Sequence, residues 1–254
     1  MKTAAVIPAR NESRTIREVA ATCLEQVDQV IVVDDGSTDG TADCLAGLDV
    51  TVIRRPQSGG KAAALAEGFH QALTDQCDLV VTLDGDGQHD PADIDRLLGA
   101  ARAWPDHLVI GARIRQRHRQ PGIRKFANRF ADFWISWASG QRVPDSQTGF
   151  RAYPQALLKT VQPSTLRRHG FVFETAMLID GARAGHPCVA VAIDSVYHDD
   201  ARPSYFKPGK DVWEIFWFVF WRIVLKGLYL PGLWRMLTGQ ARFHKSEGGV
   251  DKGQ

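Results

Sequence analysis

Short apolar runs, each stopped by polar residues or glycine, set the rhythm of the chain. Thr3–Ile7, Val30–Val33, Val50–Ile53, Leu79–Leu83 and Leu108–Gly111 are apolar nearly throughout, the pattern of strands covered on both faces. Between them the apolar period lengthens. Ile16, Val19, Ala20, Cys23, Leu24 and Val27 share one face of a helix that starts near Ser13. Thr41–Leu48 reads as a short helix, and Ala62–Leu73 and Ala92–Trp104 as longer ones. Strands alternating with helices on short links predict a doubly wound α/β sheet. Further on, the pattern predicts an aromatic-loaded helix over Gly122–Ser139 and a strand entered through Gly149-Phe150-Arg151. A helix over Thr175–Ala184, begun by Phe171–Glu174, and a last strand over Cys188–Ile193 complete it.

Composition narrows the field. A chain of 254 residues with 44% hydrophobic residues is long enough for one large α/β domain or two small ones. A net charge of +2 excludes bulk attraction to nucleic acid. Cys23, Cys44, Cys77 and Cys188 lack metal-ligand spacing and read as buried thiols of a reducing compartment. The apolar stretch before Pro8 is too short for a signal peptide, and no uncharged run is long enough for a membrane span.

The candidate chemistry gathers where strands end. After Leu83 come Asp84-Gly85-Asp86-Gly87-Gln88-His89. Ligands of open α/β sheets bind outside the carboxyl ends of strands. Two carboxylates one residue apart suit Mg²⁺ or Mn²⁺, which binds through one or two acids plus substrate phosphates; a polar turn is the alternative. Asp34-Asp35 and Asp39 end the second strand, as ligand contacts or helix caps. The Gly-rich dinucleotide fingerprint and the Walker loop are both missing. A cationic stretch follows the fifth strand: Arg113, Arg115, Arg117, Arg119, Arg124, Lys125 and Arg129 precede Asp132 without an acid among them. Arginine forks match phosphate. Arg113 shares the rim of Asp84 and Asp86, and Arg124 and Asn128 share a helix face. Glu174 is a general base or a carboxylate favouring a helix N-terminus.

Val212–Leu237 carries Trp213, Trp217, Trp221 and Trp234, with Glu214, Arg222 and Lys226 confined to one stripe. Such a helix lies in a membrane interface rather than spanning it, and Pro231-Gly232 is expected to bend it; a groove on a partner protein is the alternative. The expected division is a catalytic domain over 1–207, an amphipathic region over 208–238 and a polar, disordered tail over 239–254.

Taken in order, these residues carry a resemblance. Pro8…Asn11-Glu12, Val33-Asp34-Asp35-Gly36-Ser37-Thr38-Asp39, Gly60-Lys61, Asp84-Gly85-Asp86-Gly87-Gln88-His89, Gly149-Phe150-Arg151 and Phe173-Glu174 look like a family 2 glycosyltransferase of GT-A fold. Within that family the chain resembles the dolichyl-phosphate mannosyltransferase and polyprenyl-phosphate glycosyltransferase branch. The resemblance implies a Rossmann-like, mixed but mainly parallel sheet. It implies Pro8, Arg10, Glu12, Val33, Asp35 and Lys61 toward the nucleotide, and Asp84, Gly85, Asp86 and Gln88 toward diphosphate and metal. Arg113, Arg124 and Asn128 would stand near the acceptor phosphate, and Arg202 and Lys207 on a closing loop. Arg10 departs from the branch, which has an aromatic residue there. The implied activity is metal-dependent inverting transfer of a hexose from a nucleotide sugar to a polyprenyl phosphate or other lipid. The implied location is the cytoplasmic face of the membrane, with peripheral attachment.

Overall fold

The computed structural model describes residues 1–113, 122–161, 170–194, 208–225 and 227–244, with the side chains of 122–127, 170–171 and 208–212 left aside. Seven strands form one sheet: β1 (Thr3–Ala9), β2 (Gln29–Asp34), β3 (Thr51–Arg54), β4 (Leu79–Thr82), β5 (Leu108–Ala112), β6 (Arg151–Pro154) and β7 (Cys188–Ala192). Their spatial order is β3-β2-β1-β4-β6-β5-β7. β6 runs antiparallel to both neighbours, and the other pairings are parallel.

Both faces of the sheet are covered. Ala4 and Val6 of β1 point into one core and Ala5 and Ile7 into the other, the period-two alternation of a pleated strand. The first core is closed by α2 (Lys61–Thr74), α4 (Gly122–Ser139), α6 (Gly170–Arg183) and α7 (Pro208–Val224), and the second by α1 (Ile16–Leu24) and α3 (Ile94–Ala103). This is the expected α/β class with a mixed, mainly parallel sheet.

Four expectations change. Thr41–Leu48 holds only a single 3-10 turn, Asp43–Leu45, because Gly40 and Gly47 bracket it with positive φ. Cys44 on that turn is half-buried, whereas Cys23, Cys77 and Cys188 are buried. The C-terminal helix breaks before Pro231. Gly227, Leu228 and Tyr229 take positive φ, and α7 meets α8 (Leu230–Thr238) at 101°. Pro231 sits in the first turn of α8, where its missing N–H costs nothing. Finally, the start of the polar tail is docked. Arg242 O accepts from Ala190 N at 2.9 Å and His244 N donates to Ala190 O at 2.9 Å, which seats residues 242–244 on the edge strand β7.

Candidate functional site

Parallel strands bring their carboxyl ends to one rim. Pro8 and Ala9 pair with Val33 and Asp34 at the ends of β1 and β2, and Asp84 follows β4 and Arg113 follows β5. β6 contributes because it is reversed. The pairings Thr82–Arg151 and Ile110–Arg151 put its first residue, and the loop before it, at the same rim. Thr82 Oγ1 donates to Gly149 O at 2.8 Å and holds that loop beside Asp84.

Asp84 is met by a lysine. Lys61, the first residue of α2, sets its Nζ 2.6 Å from Asp84 Oδ1 and 3.3 Å from Glu174 Oε1. Gly149 covers the contact: a Cβ there would stand 2.8 Å from Lys61 Nζ and 3.0 Å from Asp84 Oδ2. Burial works against the charge on Asp84, but Lys61 first and His89 next hold its carboxyl below the usual range. Asp86 moves the other way. Burial and then the neighbouring Asp84 charge push it up. Its Oδ1 accepts from the Gln88 amide at 3.0 Å, which fixes the turn.

Burial drives His89 down to about 4, so it is neutral at pH 7. Its Nδ1 is buried without a hydrogen-bond partner, and its ring lies 5.3 Å from that of Phe150. Arg113 is tied to the loop before β6, and its charge also helps to hold Asp84 down. Its Nε and NH2 fork onto Asp145 at 2.9 and 3.1 Å. The Asp145 carboxylate also accepts from the Arg113 amide at 3.1 Å.

Several candidates are knit into loops. The Asp35 carboxylate accepts from Ser58 Oγ at 2.7 Å, Gly59 N at 2.9 Å and Gly60 N at 2.8 Å, and Arg55 lies 3.3 Å away. It therefore anchors the turn that delivers Lys61. Asp39 accepts from Thr41 N and Oγ1 and from Ser13 N, an Asx turn rather than a helix cap. Asn11, at φ 56°, carries the β1–α1 turn, and the Glu12 amide donates to Thr41 Oγ1 at 2.8 Å. Thr15 Oγ1 donates to Gly85 O at 2.6 Å. Arg10 is exposed on this turn.

Glu174 lies in the second turn of α6, not at its start, so the helix-terminus explanation for it fails. Its side chain is buried against Lys61. Asn128 sits half-buried on α4. The Arg124 side chain, and Arg115, Arg117, Arg119, Arg202 and Lys207, lie outside the described residues.

Two features escaped sequence reasoning. One is the Lys61 bridge, since no local pattern tells a helix-opening lysine that it will meet Asp84 and Glu174. The other is Arg151, fully buried, whose guanidinium donates to the carbonyls of Thr148, Glu174 and Ser146 at 2.8 Å each. It ties the loop before β6 to α6.

A divalent ion fits this donor set. Asp84 and Asp86 are hard oxygen donors on one turn, and burial together with the Asp84 charge pushes Asp86 up. No cluster of three or more acidic, histidine or cysteine ligands exists among the described residues. Two protein carboxylates with substrate phosphates filling the remaining positions is the usual arrangement for Mg²⁺.

Comparison with known proteins gives the family. Residues 4–161 match the model of the family described as "Glycosyl transferase family 2". The undecaprenyl-phosphate mannosyltransferase of Micrococcus luteus is 32% identical over 211 residues, 77% of this chain and 84% of that protein. The polyprenol monophosphomannose synthase of Mycolicibacterium smegmatis is 32% identical over 207 residues, 76% of each chain. Among solved structures, a glucosyl-3-phosphoglycerate synthase from Mycobacterium tuberculosis, in complex with Mn²⁺, UDP and phosphoglyceric acid, superposes with a TM-score of 0.68. It is 21% identical and covers 87% of this chain and 78% of its own. At that identity the likeness speaks for the fold alone. The matched family model, the aligned relatives and the acid-bearing strand rim together make this chain a member of glycosyltransferase family 2, with polyprenyl-phosphate sugar transferases among its relatives.

Proposed function

We propose that the protein transfers a hexose from a nucleoside-diphosphate sugar to a polyprenyl phosphate, with inversion, using Mg²⁺ or Mn²⁺. The observation that carries the proposal is the Asp84–Asp86 pair on the turn leaving β4, with Asp86 pushed up by burial and by its neighbour. The bound ion would supply Lewis-acid stabilisation of the departing diphosphate. The remaining work falls to the chain. Asp84 and Asp86 hold the ion, and Gln88 fixes Asp86 through its amide. Asp35 shapes the glycine turn next to the donor, and the backbone at Pro8, Val33 and Gly85 lines the rim.

An acceptor phosphate is already anionic at neutral pH, so it needs positioning and no strong base. This suits a site in which Glu174 is buried against an ammonium instead of facing outward. Arg113, held in place by Asp145, is the described cation that faces this task, with Arg124 and Asn128 assigned to it by the family pattern.

A lipid acceptor implies a membrane, and the outer face of the C-terminal region supports that. Trp213, Trp217 and Trp221 are 58, 44 and 49% exposed on α7, with Trp234 of α8 70% exposed. Phe130 and Phe133 of α4 extend the same kind of surface. No single described helix is long and apolar enough to cross a membrane. In this reading residues 208–238 rest in the interface on the cytoplasmic side, the side that holds nucleotide sugars.

The test is direct. Protein and membranes are incubated with a panel of radiolabelled nucleotide sugars, and lipid is extracted. Label should enter the organic phase, EDTA should abolish the transfer, and mild acid should release the sugar. Failure of every nucleotide sugar to label lipid, with intact protein and added Mn²⁺, would overturn the assignment.

A further inference from the structure

Lys61 sits where a metal ion would have to bind. Its Nζ is 2.6 Å from Asp84 Oδ1, and Gly149 closes over the pair with no room for a side chain of its own. The ammonium is not on a free arm. It leaves the first turn of α2, and the turn before it is clamped by Asp35 through Ser58, Gly59 and Gly60. Asp86, on the same turn as Asp84, has no such lysine; its recorded hydrogen bond comes from the Gln88 amide. Arg113 is turned to Asp145. One acid of the pair is therefore already neutralised by the protein itself.

An ammonium and a divalent ion compete for the same carboxylate, and each repels the other. At contact distance in a partly buried site there is little water to screen this repulsion, so the competition is not a small effect. Glu174 resolves it. Its Oε1 lies 3.3 Å from Lys61 Nζ, in a buried position where a lone carboxylate would be costly. The lysine can give up Asp84 and keep Glu174 without leaving the site.

We propose that Lys61 is a placeholder cation: it occupies Asp84 until a metal ion arrives together with the donor diphosphate, and then rests on Glu174. This deepens, and rests on, the proposed role of Asp84 and Asp86. Lys61 and Glu174 become positioning residues that set the order of binding. Metal alone meets a site whose negative charge is partly spent. Metal with a nucleoside diphosphate brings its own anions and displaces the ammonium.

Mn²⁺ binding tests this without any turnover. Free Mn²⁺ is followed by electron paramagnetic resonance, and thermal unfolding is recorded with Mn²⁺ and with EDTA, each with and without UDP or GDP. Wild-type protein should bind Mn²⁺ at least about tenfold more tightly when UDP or GDP is present. Lys61→Met should bind Mn²⁺ alone about tenfold more tightly than wild type, and its unfolding temperature should rise with Mn²⁺ alone. Glu174→Gln should weaken the binding of Mn²⁺ alone, because the lysine loses its second carboxylate. A Glu174 acting only as a base would leave that affinity where it was.

The double variant Lys61→Met/Glu174→Gln keeps the local net charge and should fold even if the single lysine variant does not. It should retain the gain in affinity for Mn²⁺ alone, since the competitor for Asp84 is gone. Mn²⁺ affinity equal to or below wild type in this double variant overturns the placeholder, because any gain in the single variant would then be bulk charge. If wild type fails to bind Mn²⁺ even with UDP and with GDP, the metal role of Asp84 and Asp86 fails, and the placeholder fails with it.

Discussion

Arg151 is a fully buried cation held without a direct carboxylate partner among its recorded hydrogen bonds. Three carbonyls from the loop before β6 and from α6 share its charge. Arg151→Met would remove three charge-assisted bonds at once and take the buried donor from the loop carbonyls of Ser146 and Thr148, so it should cost about 3 kcal/mol or more, read as a lower urea midpoint. Asp39 makes a different kind of statement. Burial opposes its charge, but Thr41 and Ser13 donate to it and bring its carboxyl down to about 2 from an ordinary 3.8. A lowered folded value means that the stabilisation is present above the unfolded value and fades as pH falls from about 4 toward 2. Asp39→Asn should therefore lower the unfolding temperature at pH 7 and make little difference near pH 2. Equal effects at both pH values would show that the charge is not what matters there.

At the scale of elements, α2 lies unusually close to β1. A Cβ on Gly68 would stand 2.3 Å from Val6 Cγ1 and 3.3 Å from Val33 Cγ2. Alanine improves helix propensity by about 1 kcal/mol, yet overpacking costs about 1–3 kcal/mol, so Gly68→Ala should come out destabilised. Gly99, in α3, has nothing within 4 Å of its would-be Cβ. Gly99→Ala should gain about 0.5–1 kcal/mol from the same propensity. The pair, compared by chemical denaturation, separates a packing glycine from an incidental one. α7 divides its apolar surface in a comparable way. Ile215, Phe218, Val219 and Ile223 are buried in the first core, whereas Trp213, Trp217 and Trp221 remain outside. Arg222, placed in the charged stripe by its spacing, pairs with Asp180 of α6 and donates to it.

For the whole molecule, the rim at the strands' carboxyl ends carries the candidate site and one helical layer holds the exposed aromatics. α7 packs on α4 and α6, and α8 is tied back by Arg142, which donates to Met236 O at 3.0 Å and Leu237 O at 3.3 Å. The exposed surface is thus tied to the sheet's helical layer by packing and hydrogen bonds. Replacing Trp213, Trp217 and Trp221 together with serine should leave the fold intact, because these rings lie outside the buried core. Sedimentation with anionic vesicles should fall sharply for that variant, while Mn²⁺ and nucleotide binding stay unchanged. Wild-type-like sedimentation would remove α7 from the membrane contact.

The α/β class, nearly all the strands, and the acid pair at the end of β4 follow from local patterning alone. Buried strands must be apolar on both faces, and a ligand-bearing turn must break that run with polar residues and glycine. Family resemblance rests on the same local runs. What local pattern does not contain is which distant groups meet. Lys61 and Glu174 are 113 positions apart, and only the packing of α2 and α6 on one face of the sheet brings them to Asp84. Likewise the reversal of β6 puts Gly149 and Arg151 at the rim, and Ala190 gives residues 242–244 a strand to pair with. Periodicity reports how a segment is buried; the identity of its neighbours is set by how the layers stack.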